Sequence, residues 1–361
     1  MTALFERNIF DEYKLYCEQR FVLGEHEGFT AKNNHYIVVC VDQIEDHEIK
    51  EMVNMGNHLT ANGDHEIATF IPTIKNTLTS FVDGQNCILL QLPRYVSRSK
   101  MQKSLGYELA RLHRRGKTFQ SGNREGGTWS QFWLKRLNQL EMLYVDLSKQ
   151  PKKYSFDQAF MISFPYYLGR TETAIQYMVD SNLDFGQQIK QEPKTICHYQ
   201  FSPNTWLTYD EKTAAGVKSP IEFVYDYPSR DLSEWMRVIS RQDAEPYRKI
   251  NEFIRGYETV ETISPISWRY IYGRLLFPID YFRIVEGYYR SIDDEEAEKY
   301  TDQLFELLGE EKKTEAFLRD FHQTILPQHH ITLVPQVDWL RREERPNSSL
   351  RNTYNHFQRR H

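Results

Sequence analysis

The sequence predicts an α+β protein with two lobes, a small antiparallel β-sheet lobe with one helix followed by a larger, mostly helical lobe. Its length of 361 residues is enough for two lobes that each bury a core. Short β-branched runs separated by turn residues dominate residues 1–93. Beyond residue 98 the apolar residues recur at the spacing of amphipathic helices.

The first lobe is predicted to span residues 1–93. Two extended runs lie in residues 28–42 around the turn signal Asn33-Asn34, and the second run, HYIVVCV, is strongly β-branched. Residues 46–63 carry apolar side chains at helical spacing and end at a glycine, which is typical of a helix C-cap. Three more short strands are predicted within residues 68–76, 77–84 and 86–93.

The second lobe is predicted to follow a connector at residues 94–98, because Pro93 cannot continue a central strand. It is expected to span residues 99–340. Helices are predicted at residues 99–117, 128–149, 167–183, 229–242, 245–260, 265–290 and 294–326, and a pair of strands within residues 195–207 and 220–228. Residues 341–361 are basic and polar and are predicted to form a poorly ordered tail.

Composition and charge exclude several classes of protein. The formal net charge of -5 at pH 7 gives no basic footprint for nucleic acid. No run of about 18 apolar residues exists, so membrane insertion is not expected. Residues 1–21 contain early acidic residues and no apolar core, so we expect cytoplasmic synthesis without a signal peptide.

The cysteines and the aromatic residues carry less specific information. Cys17, Cys40, Cys87 and Cys197 are scattered without metal-finger spacing and are predicted to be reduced thiols. Aromatic residues make up 14% of the chain, which fits either an aromatic-rich core or an aromatic contact surface.

Three motifs resemble the aminoglycoside-phosphotransferase-type kinases, which have a protein-kinase-like fold. LGYELARLHRRGK (residues 105–117) is similar to a helix of that family that ends in a Leu-His pair. ICHYQFSPNTWL (residues 196–207) resembles its catalytic loop. IEFVYDYPSRDLSEWMR (residues 221–237) resembles its metal-binding strand and the Arg-Asp-Leu that opens the next helix. The motifs occur in the family's order and spacing.

Within that superfamily the chain is similar to the kinase-like spore-coat proteins of the YutH type. The matching stretches are YDYPSRDLSEW, HYQFSPNTWL and the late LVPQVDWL (residues 333–340). This resemblance implies synthesis in the mother cell, a role in spore coat assembly, and other spore-coat proteins as partners.

The resemblance also implies that the residues of phosphoryl transfer are replaced. With His198 in register, the family's catalytic Asp falls on Gln200, whose neutral amide cannot act as a general base. The family's Asn metal ligand falls on Thr205 and its metal-binding Asp on Glu222, both poor substitutes in a rigid Mg²⁺ site. The strand that should carry the phosphate-binding lysine has Val39 and no cation. We therefore expect a pseudokinase with no catalytic residues, metal or cofactor.

Two alternatives stay open from the sequence. An active small-molecule kinase could use Glu222 and Asp226 for Mg²⁺ and Lys32 for the phosphates of ATP, although Asp226 also fits a residue that caps a turn. A nucleotide-binding switch without catalysis is the other alternative. In every case Arg230 and Asp231 are expected to anchor the following helix to the catalytic loop, as the resemblance implies.

Overall fold

The computed structural model of the protein describes residues 2–42, 44–94, 104–122, 128–150, 154–208 and 216–341. The predicted connector beyond Arg94 and the predicted tail beyond Arg341 lie outside the described residues. We call residues 2–94 the N-terminal lobe and residues 104–341 the C-terminal lobe.

The predicted α+β fold is confirmed, with an antiparallel sheet in the N-terminal lobe and a larger helical C-terminal lobe. The strands are β1 Gln19–Leu23, β2 His26–Ala31, β3 Asn34–Cys40, β4 Thr69–Ile71, β5 Ser80–Val82, β6 Gln85–Gln91, β7 Thr195–His198, β8 Leu207–Thr208, β9 Gly216–Val217 and β10 Phe223–Asp226. The helices are α1 Thr2–Tyr13, α2 Asp46–Ala61, α3 Leu105–Gly116, α4 Trp129–Ser148, α5 Ser155–Phe185, α6 Ser229–Gln242, α7 Pro246–Glu258, α8 Pro265–Leu276, α9 Ile279–Tyr288, α10 Asp294–Gly309 and α11 Glu311–Thr324.

The N-terminal sheet has six strands in the order β1-β2-β3-β6-β4, and β5 pairs with the other end of β6. Successive side chains of a strand point to opposite faces, so β3 serves two cores. Val38 packs with Phe5 of α1, whereas Val39 packs with Ile49 of α2. The sheet is therefore covered by a helix on each face.

Helix α1 was not predicted, since only one helix was expected in this lobe. Its buried residues Phe5, Ile9 and Tyr13 are spaced four apart, which is a helical period. The helical period of the apolar residues was thus present in the sequence, but the acidic and polar residues between them made the segment less recognisable as a helix.

Three predicted helices have different bounds in the structure. The predicted helix at residues 265–290 is two helices, α8 and α9, separated at Phe277-Pro278, because proline lacks the N–H that a continuing helix needs. The predicted helix at residues 294–326 is also two helices, separated at Glu310. Conversely, α5 continues through Pro165 and begins well before the predicted start. Burial of Phe160 and Phe164 accompanies the longer helix.

The aromatic residues mainly build the core of the C-terminal lobe. Ring pairs stack closely there, with centroid distances of 3.8 Å for Trp235–Phe253 and 3.7 Å for Tyr167–Tyr281. The structure therefore favours the core interpretation of the aromatic content over the surface one. Among the described helices, none combines the length and the apolar character that crossing a membrane requires.

The two lobes are joined by backbone hydrogen bonds and by apolar packing. The N–H of Ala68 donates to the carbonyl of Lys218 and the N–H of Lys218 donates to the carbonyl of Glu66, each at 2.9 Å. Leu207 and Val217, on β8 and β9, belong to the same apolar cluster as Leu23 of β1. Side chains of the C-terminal lobe thus fill part of the space beneath the sheet.

Candidate functional site

A cleft of about 860 Å³ lies where the two lobes face each other. The N-terminal lobe contributes the β1–β2 turn, the end of β3, the first turns of α2 and the β5–β6 turn. The C-terminal lobe contributes Tyr199 of the catalytic-loop motif and residues 221, 222 and 224. Of the residues that the resemblance assigns to phosphoryl transfer, Val39 and Glu222 line this cleft, whereas His198, Gln200 and Thr205 do not.

The charged side chains of the cleft are almost all acidic. Five carboxylates line it: Glu25, Glu27, Glu48, Asp83 and Glu222. Of the described residues that line this cleft, none is a lysine or an arginine. The imidazole of His26 also lines it, and burial lowers the pKa of His26, which disfavours its charged form. The charged groups that line the cleft are therefore mainly carboxylates, of which Glu27 is paired with Arg20 outside the lining.

Glu222 lies at the floor of this cleft. It belongs to a short 3-10 turn that begins at Pro220, and the strand β10 starts one residue later. Burial raises the pKa of Glu222, the imidazole of His198 opposes that rise, and the nearby carboxylate of Glu25 adds to it. The N–H of Tyr199 donates to the carbonyl of Glu222 at 2.6 Å, which ties the catalytic-loop motif to the cleft floor.

Asp226 does not share the cleft with Glu222. Its carboxylate accepts hydrogen bonds from Arg230 Nε at 2.6 Å, from Trp129 Nε1 at 2.9 Å and from the N–H of Tyr227 at 2.8 Å. It lines a separate, smaller cavity beside Trp129. The two residues do not share a strand face, because Glu222 lies in the 3-10 turn that precedes β10. The contacts match a residue that fixes a turn.

Lys32 is also remote from the cleft. It lies in the turn between β2 and β3, and its N–H donates to the Glu18 carboxylate at 3.0 Å. Val39, at the position expected for the phosphate-binding lysine, lies near the other end of β3 and lines the cleft. At a strand rise of about 3.3 Å per residue, Lys32 is roughly 20 Å away from it along the hairpin. The three residues of the active-kinase alternative are thus not brought together.

The catalytic-loop motif is held by its own hydrogen bonds. The hydroxyl of Thr205 accepts from the N–H of Ser202 at 2.8 Å and donates to the carbonyl of Gln200 at 3.1 Å. The Gln200 side chain is exposed. Thr205 therefore shapes the loop, and its hydroxyl is already engaged where the family would place a metal ligand.

Asp231 anchors this loop from the start of α6. Its carboxylate accepts from the backbone N–H of His198 at 2.9 Å and from His198 Nδ1 at 2.7 Å, and it pairs with His113 Nε2 at 3.1 Å. Burial alone would raise the pKa of Asp231, but both imidazoles and their hydrogen bonds outweigh it and hold that pKa well below its ordinary value. Arg230 contributes beside it by donating to Asp226.

Hydrogen bonds assign a role to each ring nitrogen of His198. The indole Nε1 of Trp206 can only donate, and it donates to His198 Nε2 at 2.9 Å. The proton of His198 is therefore on Nδ1, where it meets Asp231. Sequence reasoning did not assign Trp206 or His113 to this network, although the Leu-His motif had singled out the helix that carries His113.

Among the described residues, His113, Cys197 and Asp231 have potential metal-ligating atoms within 4.8 Å of one another. All three are buried, and their polar atoms already have partners. Cys197 Sγ donates to the carbonyls of Asp226 and Tyr227 at 3.5 and 3.4 Å. This group is a hydrogen-bonded network beneath the catalytic-loop motif.

Lys218 is a further residue that the sequence did not single out. It is wholly buried between the lobes, and its Nζ donates to both carboxylate oxygens of Asp64 at 3.0 and 2.8 Å. Glu66 lies 3.1 Å from the same Nζ, and Arg115 pairs with Asp64 at 2.9 Å. Lys218 lies outside the set of residues that line the cleft. Its charge is neutralised by these partners.

Mg²⁺ and ATP do not fit this arrangement. A polyphosphate requires cations or convergent N–H donors, whereas the described cleft residues bring carboxylates. Glu222 and Asp226, the two carboxylates that the active-kinase alternative uses for Mg²⁺, lie in separate cavities.

A family model and a relative from Bacillus subtilis both assign this chain to the same family. Residues 6–321 match the family model described as spore coat putative kinase YutH. The chain is 34% identical over 322 residues to the endospore coat-associated protein YutH of Bacillus subtilis strain 168, covering 87% of this chain and 91% of that protein.

Solved structures with a similar fold include small-molecule kinases. An aminoglycoside phosphotransferase from Alicyclobacillus acidocaldarius superposes with a TM-score of 0.63 at 18% identity, covering 92% of this chain and 97% of that one. A spectinomycin phosphotransferase in complex with ADP and spectinomycin gives 0.56 at 13% identity, covering 85% and 94%. A microcompartment-associated aminopropanol kinase gives 0.54 at 12% identity, covering 92% and 100%. At these identities the likeness concerns the fold alone.

Proposed function

Because the chain belongs to the family described as spore coat putative kinase YutH, we propose that it is a pseudokinase of the bacterial spore coat. In this proposal it keeps the kinase-like fold, transfers no phosphoryl group, and acts in coat assembly through contacts with other spore-coat proteins.

The acidic cleft is the observation that carries the proposal. Phosphoryl transfer depends on positive charge around the phosphates of the nucleotide, since the protein contributes mainly positioning and electrostatic stabilisation. Here five carboxylates line the corresponding space, and Val39 stands where the lysine is expected. An anionic nucleotide would be repelled by the very groups that should bind it.

The buried network that anchors the loop is present, whereas the side chains expected for phosphoryl transfer are replaced, and this difference supports a scaffold role. The network of Asp231, His198 and His113 is buried and hydrogen-bonded, so it anchors the start of the loop to α3 and α6. The reactive positions, Gln200 and Thr205, carry side chains without general-base chemistry. A protein that acts through contacts rather than turnover would keep the anchoring network and lose the reactive side chains.

The active-kinase alternative gains no support from the geometry. It requires Glu222, Asp226 and Lys32 to act on one bound nucleotide. Only Glu222 lines the cleft, Asp226 is occupied by three donors, and Lys32 is at the far end of the β2–β3 hairpin.

Nucleotide binding is the direct test of the proposal. We expect that about 1 mM ATP, which is at the upper end of ordinary KM values, will leave the thermal unfolding midpoint unchanged with or without Mg²⁺. A ligand that binds only the folded state would raise that midpoint. Differential scanning fluorimetry measures it, with an ATP-binding aminoglycoside phosphotransferase as positive control.

Each other outcome contradicts the proposal in a distinct way. A Mg²⁺-dependent rise with ATP turnover that Glu222→Gln abolishes would establish the active kinase. A rise without turnover would establish the nucleotide-binding switch.

Coat assembly without chemistry gives a second expected result. In sporulating cells that lack the native chain, Gln200→Ala should enter the extracted coat fraction at the parent level, because the side chain is exposed and performs no chemistry in this proposal. Asp231→Ala should reduce that level, because it breaks the buried anchor. Immunoblotting of coat extracts measures both. Loss of a folded Gln200→Ala protein from the coat would show that the proposal is wrong.

A further inference from the structure

Two of the cysteines lie side by side on neighbouring strands. Cys40 ends β3 and Cys87 is in β6, and the register of the two strands places these residues directly opposite each other. Their Sγ atoms are 3.5 Å apart. Cys40 is exposed, whereas Cys87 is buried. Both line the interlobe cleft.

The backbone geometry at this pair suits a covalent bond between the sulfurs. The N–H of Val41 donates to the carbonyl of Asn86 at 2.8 Å, so the pair next to Cys40 and Cys87 is a hydrogen-bonded one. In an antiparallel ladder the two kinds of pair alternate, and the non-hydrogen-bonded kind has Cα atoms about 4.5 Å apart. That separation falls within the range that a disulfide spans.

We propose that Cys40 and Cys87 form an oxidation-sensitive dithiol that closes to an intramolecular disulfide between β3 and β6, with a peroxide as the oxidant. The Cys40 thiolate attacks hydrogen peroxide, the O–O bond breaks, and Cys40 becomes a sulfenic acid while the departing hydroxide takes up the proton that Cys40 released and leaves as the first water. The Cys87 sulfur then attacks the Cys40 sulfur, the S–O bond breaks, and the departing hydroxide takes the Cys87 proton and leaves as the second water. Two thiols and one peroxide thus give one disulfide and two waters. This inference is independent of the proposed pseudokinase function.

The two cysteines have different roles in this sequence of steps. Burial raises the pKa of Cys87 to about 12, and the contact with Cys40 and the carboxylate of Asp42 add to the rise. Cys87 therefore remains a thiol and is sheltered from the oxidant. The exposed Cys40 reacts first, and the neighbouring Cys87 resolves the sulfenic acid.

The other two cysteines provide internal controls. Cys197 is wholly buried in β7, and burial raises its pKa well above the ordinary value. Cys17 is half-buried, and burial raises its pKa to about 11. Neither belongs to the strand pair that carries Cys40 and Cys87, so both should resist an oxidant that closes the pair.

The disulfide would change the N-terminal lobe in two ways. It would close a chain loop that contains α2, β4 and Asp64, the buried partner of Lys218, and so restrain the unfolded chain. It would also consume the exposed thiol of Cys40, which otherwise could form a bond to another molecule. The oxidised chain would contain an internal disulfide rather than disulfides to other molecules.

The full-length chain treated with hydrogen peroxide tests this. We expect the loss of two of the four thiols, a peptide joining Cys40 to Cys87 by mass spectrometry, and no covalent dimer on a non-reducing gel. The thermal midpoint should rise by roughly 5 °C on oxidation and return on reduction. Parent protein recovered with Cys40 over-oxidised and Cys87 still a thiol, or with dimers linked through Cys40, would overturn the inference.

Two matched variants sharpen the result. Cys87→Ser removes the resolving sulfur, so peroxide should leave Cys40 as sulfenic or sulfinic acid or as a dimer, with no gain in the midpoint. Cys197→Ser removes a buried thiol outside the pair and should oxidise like the parent. If Cys87→Ser kept the oxidative rise in the midpoint, the stabilisation would have another origin and the inference would fail.

Discussion

Asp231→Ala is expected to lower the free energy of unfolding by about 3–5 kcal/mol, because it leaves buried polar groups without their shared acceptor. The carboxylate receives two hydrogen bonds from His198 and pairs with His113, and all three residues are buried. Removing it leaves the backbone N–H of His198 and the imidazoles of His198 and His113 without their acceptor in a buried region. Equilibrium denaturation in urea measures the loss.

The exposed Asp338 provides the matched control for that variant. Its side chain is 89% exposed and pairs only with Arg341 at the surface, so Asp338→Ala should cost under about 1 kcal/mol. A loss of less than about 1 kcal/mol for Asp231→Ala would mean that the anchor contributes little to the fold.

The same network predicts how stability depends on pH. The folded-state pKa of Asp231 is lowered, so its contribution is present above the unfolded pKa of about 3.9 and is lost as pH falls through the folded value. Burial lowers the pKa of His113, so unfolding takes up a proton below about pH 6.5 and stability falls there as well. The parent should therefore lose stability below about pH 6.5 and lose more below about pH 3.9. Asp231→Ala should lack the second of these losses.

Lys218→Met is expected to cost a similar 3–5 kcal/mol, because it leaves the buried Asp64 carboxylate without its closest cation. Lys218 is wholly buried and Asp64 is almost so, and the pair joins the N-terminal lobe to the C-terminal lobe. Arg115 still contacts Asp64 but approaches from the partly exposed side. Urea denaturation should show the loss as a lower midpoint.

Two further variants separate the ion pair from general effects of losing a lysine. Lys249 pairs with Asp243 at the surface and is 47% exposed, so Lys249→Met should cost under about 1 kcal/mol. The double variant Lys218→Met with Asp64→Leu should recover part of the loss, since the buried Asp64 carboxylate is then absent and the groups that lose a partner, Glu66 and Arg115, are partly exposed. If the double variant were as unstable as the sum of both single changes, the pair would not act as a unit.

Local patterns predicted much of the fold. A β-branched run indicated β3, helical spacing indicated α2 and α3, and the Asp-Gly signal indicated the turn between β5 and β6. These features depend on near neighbours in the chain, so the sequence expresses them directly. The element bounds were less accurate where packing overrides local preference, as at Pro165 within α5.

The sequence by itself determined which chemical groups the catalytic-loop motif carries. The resemblance places Gln200, Thr205 and Val39 at the positions of the family's base, metal ligand and lysine, and this assignment stays a prediction. Only the tertiary structure decided where the charged side chains meet. It separates Asp226 and Lys32 from the cleft and brings four carboxylates from three segments of the N-terminal lobe into the cleft that Glu222 lines. It also pairs Cys40 with Cys87, because contact between distant segments is set by strand register and lobe packing, which no local pattern encodes.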